Sequence, residues 1–167
     1  MPTLQFHGWN AAVFTFGDIA IAERRKTAFL CSRKYPARAV LPIYDWAKAM
    51  RDAGECVMSG FHSRLERDLL DILIKGDQPI ILATARGLPK RYPVAVKQAI
   101  DDGKLLVTSP FPASVSRITA GTSRHRNAFM LSVAERIVIG HMSQTGILAE
   151  ALSSVALHKE IIRLSEE

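Results

Sequence analysis

The stretch "ECVMSGFHSRLERDLLDILIKGDQPIILAT" (residues 55–84) contains two short apolar runs that flank a segment with helical periodicity. The runs at 55–59 and 79–84 have the length and composition of buried strands. Between them, apolar residues recur at i, i+4 and i+7, the spacing of one helix face. These residues are Leu65, Leu69 and Ile72. The stretch therefore predicts a strand, a helix and a second strand, the unit from which parallel sheets are built.

The same alternation extends from residue 27 to the end of the chain. It predicts further strands at 27–31, 104–108 and 136–140. It predicts further helices over 38–53 and 93–102, one beginning at Ser123, and one long C-terminal helix from about Thr145. A run at 12–18 predicts a short extra strand before them.

This order of elements indicates an α/β fold with a doubly wound, mostly parallel, Rossmann-like sheet in three layers. We divide the chain into an N-terminal extension, residues 1–26, with one strand, and a Rossmann-like domain, residues 27–167. We see no internal repeat.

Composition narrows the classes of partner. The 22 Lys and Arg residues against 16 Asp and Glu residues give a formal net charge of +6. This charge favours an anionic partner, although a solvated basic surface gives the same value. No signal peptide and no run of membrane-spanning length is present, so we expect a cytoplasmic protein without a membrane partner.

The two cysteines, Cys31 and Cys56, lie in apolar stretches, which is typical of reduced thiols in a protein core. The five histidines show no metal-ligand spacing with each other or with the cysteines. We therefore expect no metal and no cofactor.

The residues directly after each predicted strand are the first candidates for a site, because open parallel sheets bind ligands beyond the carboxyl ends of their strands. Arg33 and Lys34 follow Ser32 directly after the first of these strands, where backbone N–H groups and the start of the next helix would meet an anion. Gly60 after Ser59 permits close approach of a ligand. The same pairs also fit a solvated loop and an ordinary turn. The other candidates after strands are Gly87, Thr145 and Gly146.

The stretch "SRHRNAFML" (123–131) places basic residues at a predicted helix start, with Ser123 as its cap. Arg124 and Arg126 would then lie in the first turn, where the helix dipole disfavours cations by about 0.3–1 kcal/mol each. A bound phosphate would reverse that penalty. Arg64 repeats the pattern at the start of the preceding helix.

The carboxylates suggest structural roles. Ser63 and Glu66 form the S-x-x-E pattern of a capping box. Asp68 and Asp71 fit a solvated helix face. Glu150 is the carboxylate expected nearest the ligand crevice, although acids early in a helix are common for dipole reasons. No G-x-S-x-G nucleophile elbow and no G-x-G-x-x-G fingerprint are present.

Five segments in order resemble the Rossmann-like core of the DNA-processing protein A (Smf) family, whose members bind single-stranded DNA in recombination. They are "FLCSRKYP", "VMSGFHS", "ARGLPKRYP", "LLVTSPFP" and "SRHRNAFMLSVAERIVIGHMSQTGIL". "AVFTFGD" (12–18) resembles a run that precedes the family's core. The resemblance spans roughly residues 12–150.

The family pattern transfers residue by residue. The matching positions are Ser32, Arg33, Ser59, Gly60, Gly87, Leu88, Tyr92, Pro93, Ser109, Pro112, Arg126, Asn127, Gly146 and Leu148. His125 stands where the family has another arginine. Cys31 replaces a family glycine, Ala128 replaces the last arginine of its R-R-N-R motif, and Arg64 lies one position from a family arginine.

The resemblance implies a stand-alone, shortened relative that binds a nucleotide or the phosphates of single-stranded DNA. It also implies a homodimer and a recombinase as a partner. The wider superfamily includes the "lonely guy" phosphoribohydrolases, whose P-G-G-x-G-T-x-x-E hallmark "SQTGILAE" matches only in part. An enzyme of that class, with Glu150 as its catalytic residue, is the alternative, and a ligand-free dimerising domain is a third.

Overall fold

The structure, a computed structural model, describes residues 2–154 and 159–165. Eight strands form one sheet in the order β1-β2-β6-β5-β4-β3-β7-β8. The strands are β1 (Thr3–Gln5), β2 (Ala12–Gly17), β3 (Lys26–Leu30), β4 (Cys56–Ser59), β5 (Ile80–Ala83), β6 (Leu105–Ser109), β7 (Arg136–Ile139) and β8 (Glu160–Arg163). The strands from β3 to β8 pair in parallel, whereas β1 and β2 are antiparallel.

Helices cover both faces of this sheet. They are α1 (Val40–Asp52), α2 (Arg64–Ile74), α3 (Val94–Asp101), α4 (Ala120–Val133) and α5 (Ile147–Ser154). Successive residues of β3 point to opposite faces, so that Phe29 packs with α1, α2 and α3, whereas Ala28 and Leu30 pack with α4 and α5. The predicted three-layer α/β fold is confirmed.

The order of the strands creates a switch point. From β3 the chain moves outward through β4 and β5 to β6, and then α4 returns it to β7 on the other side of β3. The loops after β3 and β7 therefore leave the sheet in opposite directions. A ligand crevice is expected between them.

The two ends of the sheet differ from the prediction. The extra strand predicted at 12–18 is β2, but β1 precedes it and pairs with it. This three-residue strand is too short to show a period in the sequence.

The predicted long C-terminal helix is wrong. Helix α5 ends at Ser154, and β8 pairs in parallel with β7. Ile161 and Ile162 pack on opposite faces of the sheet, and β-branched residues fit such a position better than a helix. The part of the predicted helix over 155–158 lies outside the described residues.

The predicted start of α4 is also wrong. Helix α4 begins at Ala120 and its N-cap is Thr119, whose Oγ1 accepts a hydrogen bond from the Thr122 amide over 3.0 Å. The Thr119 amide donates in return to Thr122 Oγ1 over 2.8 Å. Ser123 therefore lies inside the helix. In the described part of the chain, no helix is long and apolar enough to cross a membrane.

Candidate functional site

A cavity of about 380 Å³ opens at the switch point between β3 and β7. Three loops and three helices line it, namely the loops that follow β3, β4 and β7, and helices α2, α4 and α5. The lining residues are Cys31, Ser32, Arg33, Lys34, His62, Ser63, Glu66, Ser123, Arg126, Asn127, Ser143, Thr145, Gly146, Ile147 and Leu148. We call it the switch-point cavity.

The loop after β3 is tied to the loop after β7. The Ser32 amide donates to the His141 carbonyl over 2.9 Å, and Ser32 Oγ accepts from the Ser143 amide over 3.0 Å. Arg33 and Lys34 follow directly and are exposed. These hydrogen bonds hold the backbone on both sides of the cavity, while the two cations stay at its mouth.

Arg126 is the basic residue that reaches the interior. Its guanidinium is half-buried, with Nε donating to Asn127 Oδ1 over 2.9 Å and Nη1 donating to the Ala83 carbonyl over 3.2 Å. Burial lowers the pKa of Arg126, and the Glu66 carboxylate opposes that shift. Among the residues described, no carboxylate lies within ion-pair distance of it. Arg126 therefore presents a partly desolvated positive charge to the cavity.

The true start of α4 changes the reason for this placement. With Thr119 as N-cap, Arg124 and Arg126 lie in the second turn, where the helix dipole has little effect on their charge. The predicted dipole penalty on these cations is therefore small. Because α4 starts a turn earlier, Ser123 faces the switch-point cavity together with Arg126 and Asn127.

The loop after β4 shapes the wall beside Arg126. A Cβ atom on Gly60 would lie 2.1 Å from Arg126 Nη1, so only glycine leaves room for the guanidinium. Ser59 does not reach the cavity, because its side chain is fully buried and its Oγ donates to the Phe29 carbonyl over 2.9 Å. Ser59 holds β4 beside β3.

The predicted capping box at the start of α2 is confirmed, and it also lines the cavity. Glu66 Oε1 accepts from the His62 amide over 2.9 Å and from the Ser63 amide over 3.4 Å. Burial and the neighbouring Arg126 lower the pKa of His62. The capping interaction fixes one carboxylate at the cavity wall, and the lowered pKa favours the neutral form of His62.

Besides Ser59 and Gly60, three predicted site residues do not line the switch-point cavity. Arg64 is exposed on α2 and does not line the cavity. Arg124 is exposed, and its Nε lies 3.2 Å from Glu150 Oε2. Gly87 is buried, and a Cβ there would meet the Pro112 carbonyl at 2.6 Å, so its role is close packing of two loops.

Sequence reasoning left out several lining residues. Two of them are Ser63 and Glu66, which the sequence predicts only as members of a capping box. Ser143 is a third: it lies in the loop after β7, and its amide donates to Ser32 Oγ.

The thiols show no sign of reactivity. Both cysteines are free, and burial raises the pKa of each to about 12, so neither forms a thiolate near neutral pH. Cys31 lines the cavity as a neutral group. Within the described residues, no group of three or more His, Cys, Asp and Glu side chains is arranged to hold a metal ion.

Comparison by sequence gives no match: no protein-family model matches the chain, and no curated protein matches it. Comparison by structure does. DNA processing protein A from Helicobacter pylori, which binds single-stranded DNA, superimposes with a TM-score of 0.73 at 14% identity, over 96% of this chain and 83% of that one.

DNA processing protein A from Streptococcus pneumoniae gives a TM-score of 0.70 at 14% identity. The match covers 91% of this chain and 54% of that protein, so this chain spans about half of its length. The molybdenum cofactor binding protein from Rippkaea orientalis gives 0.56 at 10% identity, over 84% of this chain and 76% of that one. The resemblance noted in the sequence motifs is confirmed at the level of the fold: the chain has the Rossmann-like fold of DNA processing protein A.

Proposed function

We propose that this chain binds single-stranded DNA, with backbone phosphates in the switch-point cavity. The observation that carries the proposal is the position of Arg126, whose guanidinium lies half-buried in the wall of a cavity at the point where ligands of this fold class bind. The DNA processing protein A from H. pylori, which has the same fold, binds single-stranded DNA.

The charge of the lining supports an anionic ligand. Among the described residues that line the cavity, three are cationic, Arg33, Lys34 and Arg126, and one, Glu66, is a carboxylate. That carboxylate already accepts two main-chain hydrogen bonds, which reduces its repulsion of an incoming anion. The balance favours phosphate, which arginine binds with charge-assisted hydrogen bonds.

The neutral groups of the lining suit phosphate oxygens as well. Ser123 and Thr145 bring hydroxyls to the cavity, and hydroxyls donate to phosphates in most nucleic-acid complexes. Gly146 has a positive φ of +115° directly before α5, and no atom lies within 4 Å of a Cβ built on it. The backbone at this side of the cavity is therefore open to a ligand.

The hydrolase alternative assigns catalysis to Glu150. This carboxylate is exposed, pairs with Arg124 and does not line the switch-point cavity. Glu66 lines it but serves as a helix cap. No specific observation favours hydrolysis, so release of free base from a nucleoside 5′-monophosphate serves only as a control assay.

The test is the affinity for a fluorescein-labelled oligothymidylate, measured by fluorescence anisotropy. Arg126→Ala should weaken binding by about 1.5–3 kcal/mol, because a charge-assisted contact is lost. The matched control is Arg124→Ala, which removes the same charge two residues before Arg126. Arg124 forms an exposed ion pair with Glu150, so its loss should change the affinity by less than about 1 kcal/mol. Equal effects of the two variants would contradict a specific phosphate site.

The dimer and the recombinase partner implied by the resemblance stay predictions. Light scattering of the purified protein over a range of concentrations measures the first. Co-precipitation of a purified bacterial recombinase tests the predicted partner. In the presence of DNA, the recombinase should co-precipitate with the wild-type chain and not with Arg126→Ala protein.

A further inference from the structure

A second cavity, of about 210 Å³, lies beyond the carboxyl ends of β4 and β5. It borders the switch-point cavity, because His62 and Arg126 line both. Gly60, which gives the Arg126 guanidinium its room, also lines the second cavity. The two cavities are therefore neighbours on either side of one arginine.

The walls of the second cavity are apolar and partly aromatic. The large apolar residues that line it are Phe61, Leu70, Leu82, Tyr92, Val96 and Ile118. Phe61 has a φ of +46°, a left-handed conformation that is rare for a bulky side chain and that occurs more often at functional sites. The Tyr92 ring is held in place by stacking on Phe16, with centroids 5.6 Å apart and planes 7° from parallel.

Four arginines line this apolar space. Arg67, Arg86 and Arg91 are exposed, Arg126 is half-buried, and none of the described residues that line the cavity is a carboxylate. In the portion of the chain that the structure describes, none of the four forms an ion pair with an acidic side chain. An uncharged apolar ligand would leave these cations without a partner.

We propose that the second cavity receives the base of a nucleotide whose phosphate lies in the switch-point cavity. A base has two apolar faces and polar edges, and a guanidinium plane both stacks on such a face and donates to such an edge. The shared Arg126 then contacts both parts of one nucleotide. This inference rests on the proposed function, because it takes the phosphate site as given.

Two hexameric probes separate the inference from the proposed function. One is hexathymidylate, and the other is a hexamer of abasic tetrahydrofuran nucleotides with the same phosphates and the same label. Wild-type protein should bind hexathymidylate at least about tenfold more tightly than the abasic hexamer, since stacking of a base contributes strongly to affinity. Equal affinities overturn the base cavity and leave the phosphate site intact. No binding of either probe overturns both.

Variants of the second cavity give the confirming measurement. In Arg86→Ala/Arg91→Ala protein, the ratio of the two affinities should fall towards one, because the base loses its stacking and hydrogen-bonding partners. Lys90→Ala is the matched control: it removes a cation from the same exposed loop but does not line the cavity, so the ratio should stay as in the wild type. A proportional loss for both probes in the arginine variant, with the ratio unchanged, overturns the inference.

Ile118→Trp tests the same space without a change of charge. Ile118 is half-buried in the loop before α4, and a larger side chain there fills the cavity. Hexathymidylate affinity should fall at least about fivefold while abasic affinity stays within about twofold. Retained preference for hexathymidylate in a folded Ile118→Trp protein, checked by circular dichroism, overturns the inference.

Discussion

The contact between Gly60 and Arg126 shows how one missing side chain positions a charge. The guanidinium occupies the space that a Cβ on Gly60 would fill, and its Nη1 donates to the Ala83 carbonyl 3.2 Å away. The close approach, rather than the backbone angle, requires glycine here, because Gly60 has no positive φ. The arginine is thereby held against the ends of β4 and β5.

Gly60→Ala should therefore impair binding more than folding. The added methyl group meets the flexible end of a side chain, which moves away, and the displaced guanidinium loses its position in both cavities. We expect oligothymidylate affinity to fall by about 1.5–2 kcal/mol, the lower part of the range for a charge-assisted hydrogen bond. Fluorescence anisotropy and thermal melting measure the two effects.

The control for this substitution is Gly121→Ala. Gly121 lies in the first turn of α4, and the nearest atom to its Cβ would be Thr119 Oγ1 at 3.7 Å, an ordinary contact. Alanine has the higher helix propensity, so stability should rise by up to about 1 kcal/mol with affinity unchanged. A Gly60→Ala protein that binds normally would show that Arg126 needs no fixed position.

His62 makes the affinity depend on pH. Burial lowers its pKa below the ordinary 6.5, and the positive charges of Arg126, Arg33 and Arg67 add to the shift against the opposing effect of Glu66. A bound phosphodiester raises this pKa again, so binding takes up a proton at acidic pH. Oligothymidylate affinity should therefore rise as the pH falls below about 6.5.

The free protein should respond in the opposite direction. Because the folded state of His62 has the lower pKa, the unfolded chain binds more protons below pH 6.5, and acidification destabilises the unliganded fold through this group. His62→Gln should reduce both effects. Titration of affinity and of melting temperature from pH 5 to pH 7.5 measures them, and unchanged profiles in the variant would exclude His62 as the source.

At the scale of the elements, the N-terminus of α4 distinguishes the structure from the sequence prediction. Thr119→Ala removes the N-cap and should lower the free energy of unfolding by about 0.5–2 kcal/mol. Ser123→Ala should have a smaller effect on stability, since Ser123 is an interior helical residue. Chemical denaturation measures both. A larger loss for Ser123→Ala would restore the predicted helix start.

The elements that the sequence predicts well are those with a strong period. The β4-α2-β5 unit follows its pattern within one or two residues, because buried faces impose a spacing that a reader of the sequence can count. The sequence does not predict the capping box of α4, because Thr122 stands where such a box usually has Glu or Gln. The sequence does not predict strand β8, because the extended conformation of its four residues depends on pairing with β7.

The candidate site follows the same division. Arg33, Arg126 and Gly146 are found from their positions after strands or in a motif, and the structure brings them to one cavity. Arg64 and Arg124 do not line the cavity. Helix α4 begins before the predicted cap, and Arg64 matches the family arginine only with a shift of one position, so the sequence does not give the direction of either side chain. The sequence does not predict the second cavity, although Gly60, Tyr92 and Pro93 in its lining are motif positions, because only the fold brings its loops and helices together.

For the whole molecule, the net charge of +6 predicts a binding reaction that depends strongly on salt. Each phosphate neutralised on a single strand contributes a slope of about −0.7 to a plot of log affinity against log salt concentration. With the three cations of the switch-point cavity engaged, the slope for oligothymidylate should be about −2. Titration at 50–300 mM NaCl measures it.

The slopes of the Arg126→Ala and Arg124→Ala proteins show which arginine neutralises a phosphate. Arg126→Ala should make the slope shallower by about 0.7, whereas Arg124→Ala should leave it unchanged. A slope near zero in the wild-type protein would mean that phosphates contribute little to binding, and the proposal would then fail.

Strand β8 also covers the edge of β7 in the sheet. It pairs with all four residues of β7, and the Lys159 ammonium beside it donates to the carbonyls of Leu131 and Ser132 over 2.6 and 2.7 Å. Without β8, strand β7 would be the edge of the sheet. Its apolar residues Ile137, Val138 and Ile139 would then be a template onto which other chains can add strands. Strand β8 thus replaces this apolar edge with one that carries Glu160 and Arg163, and charged residues at a sheet edge disfavour the addition of strands from other chains.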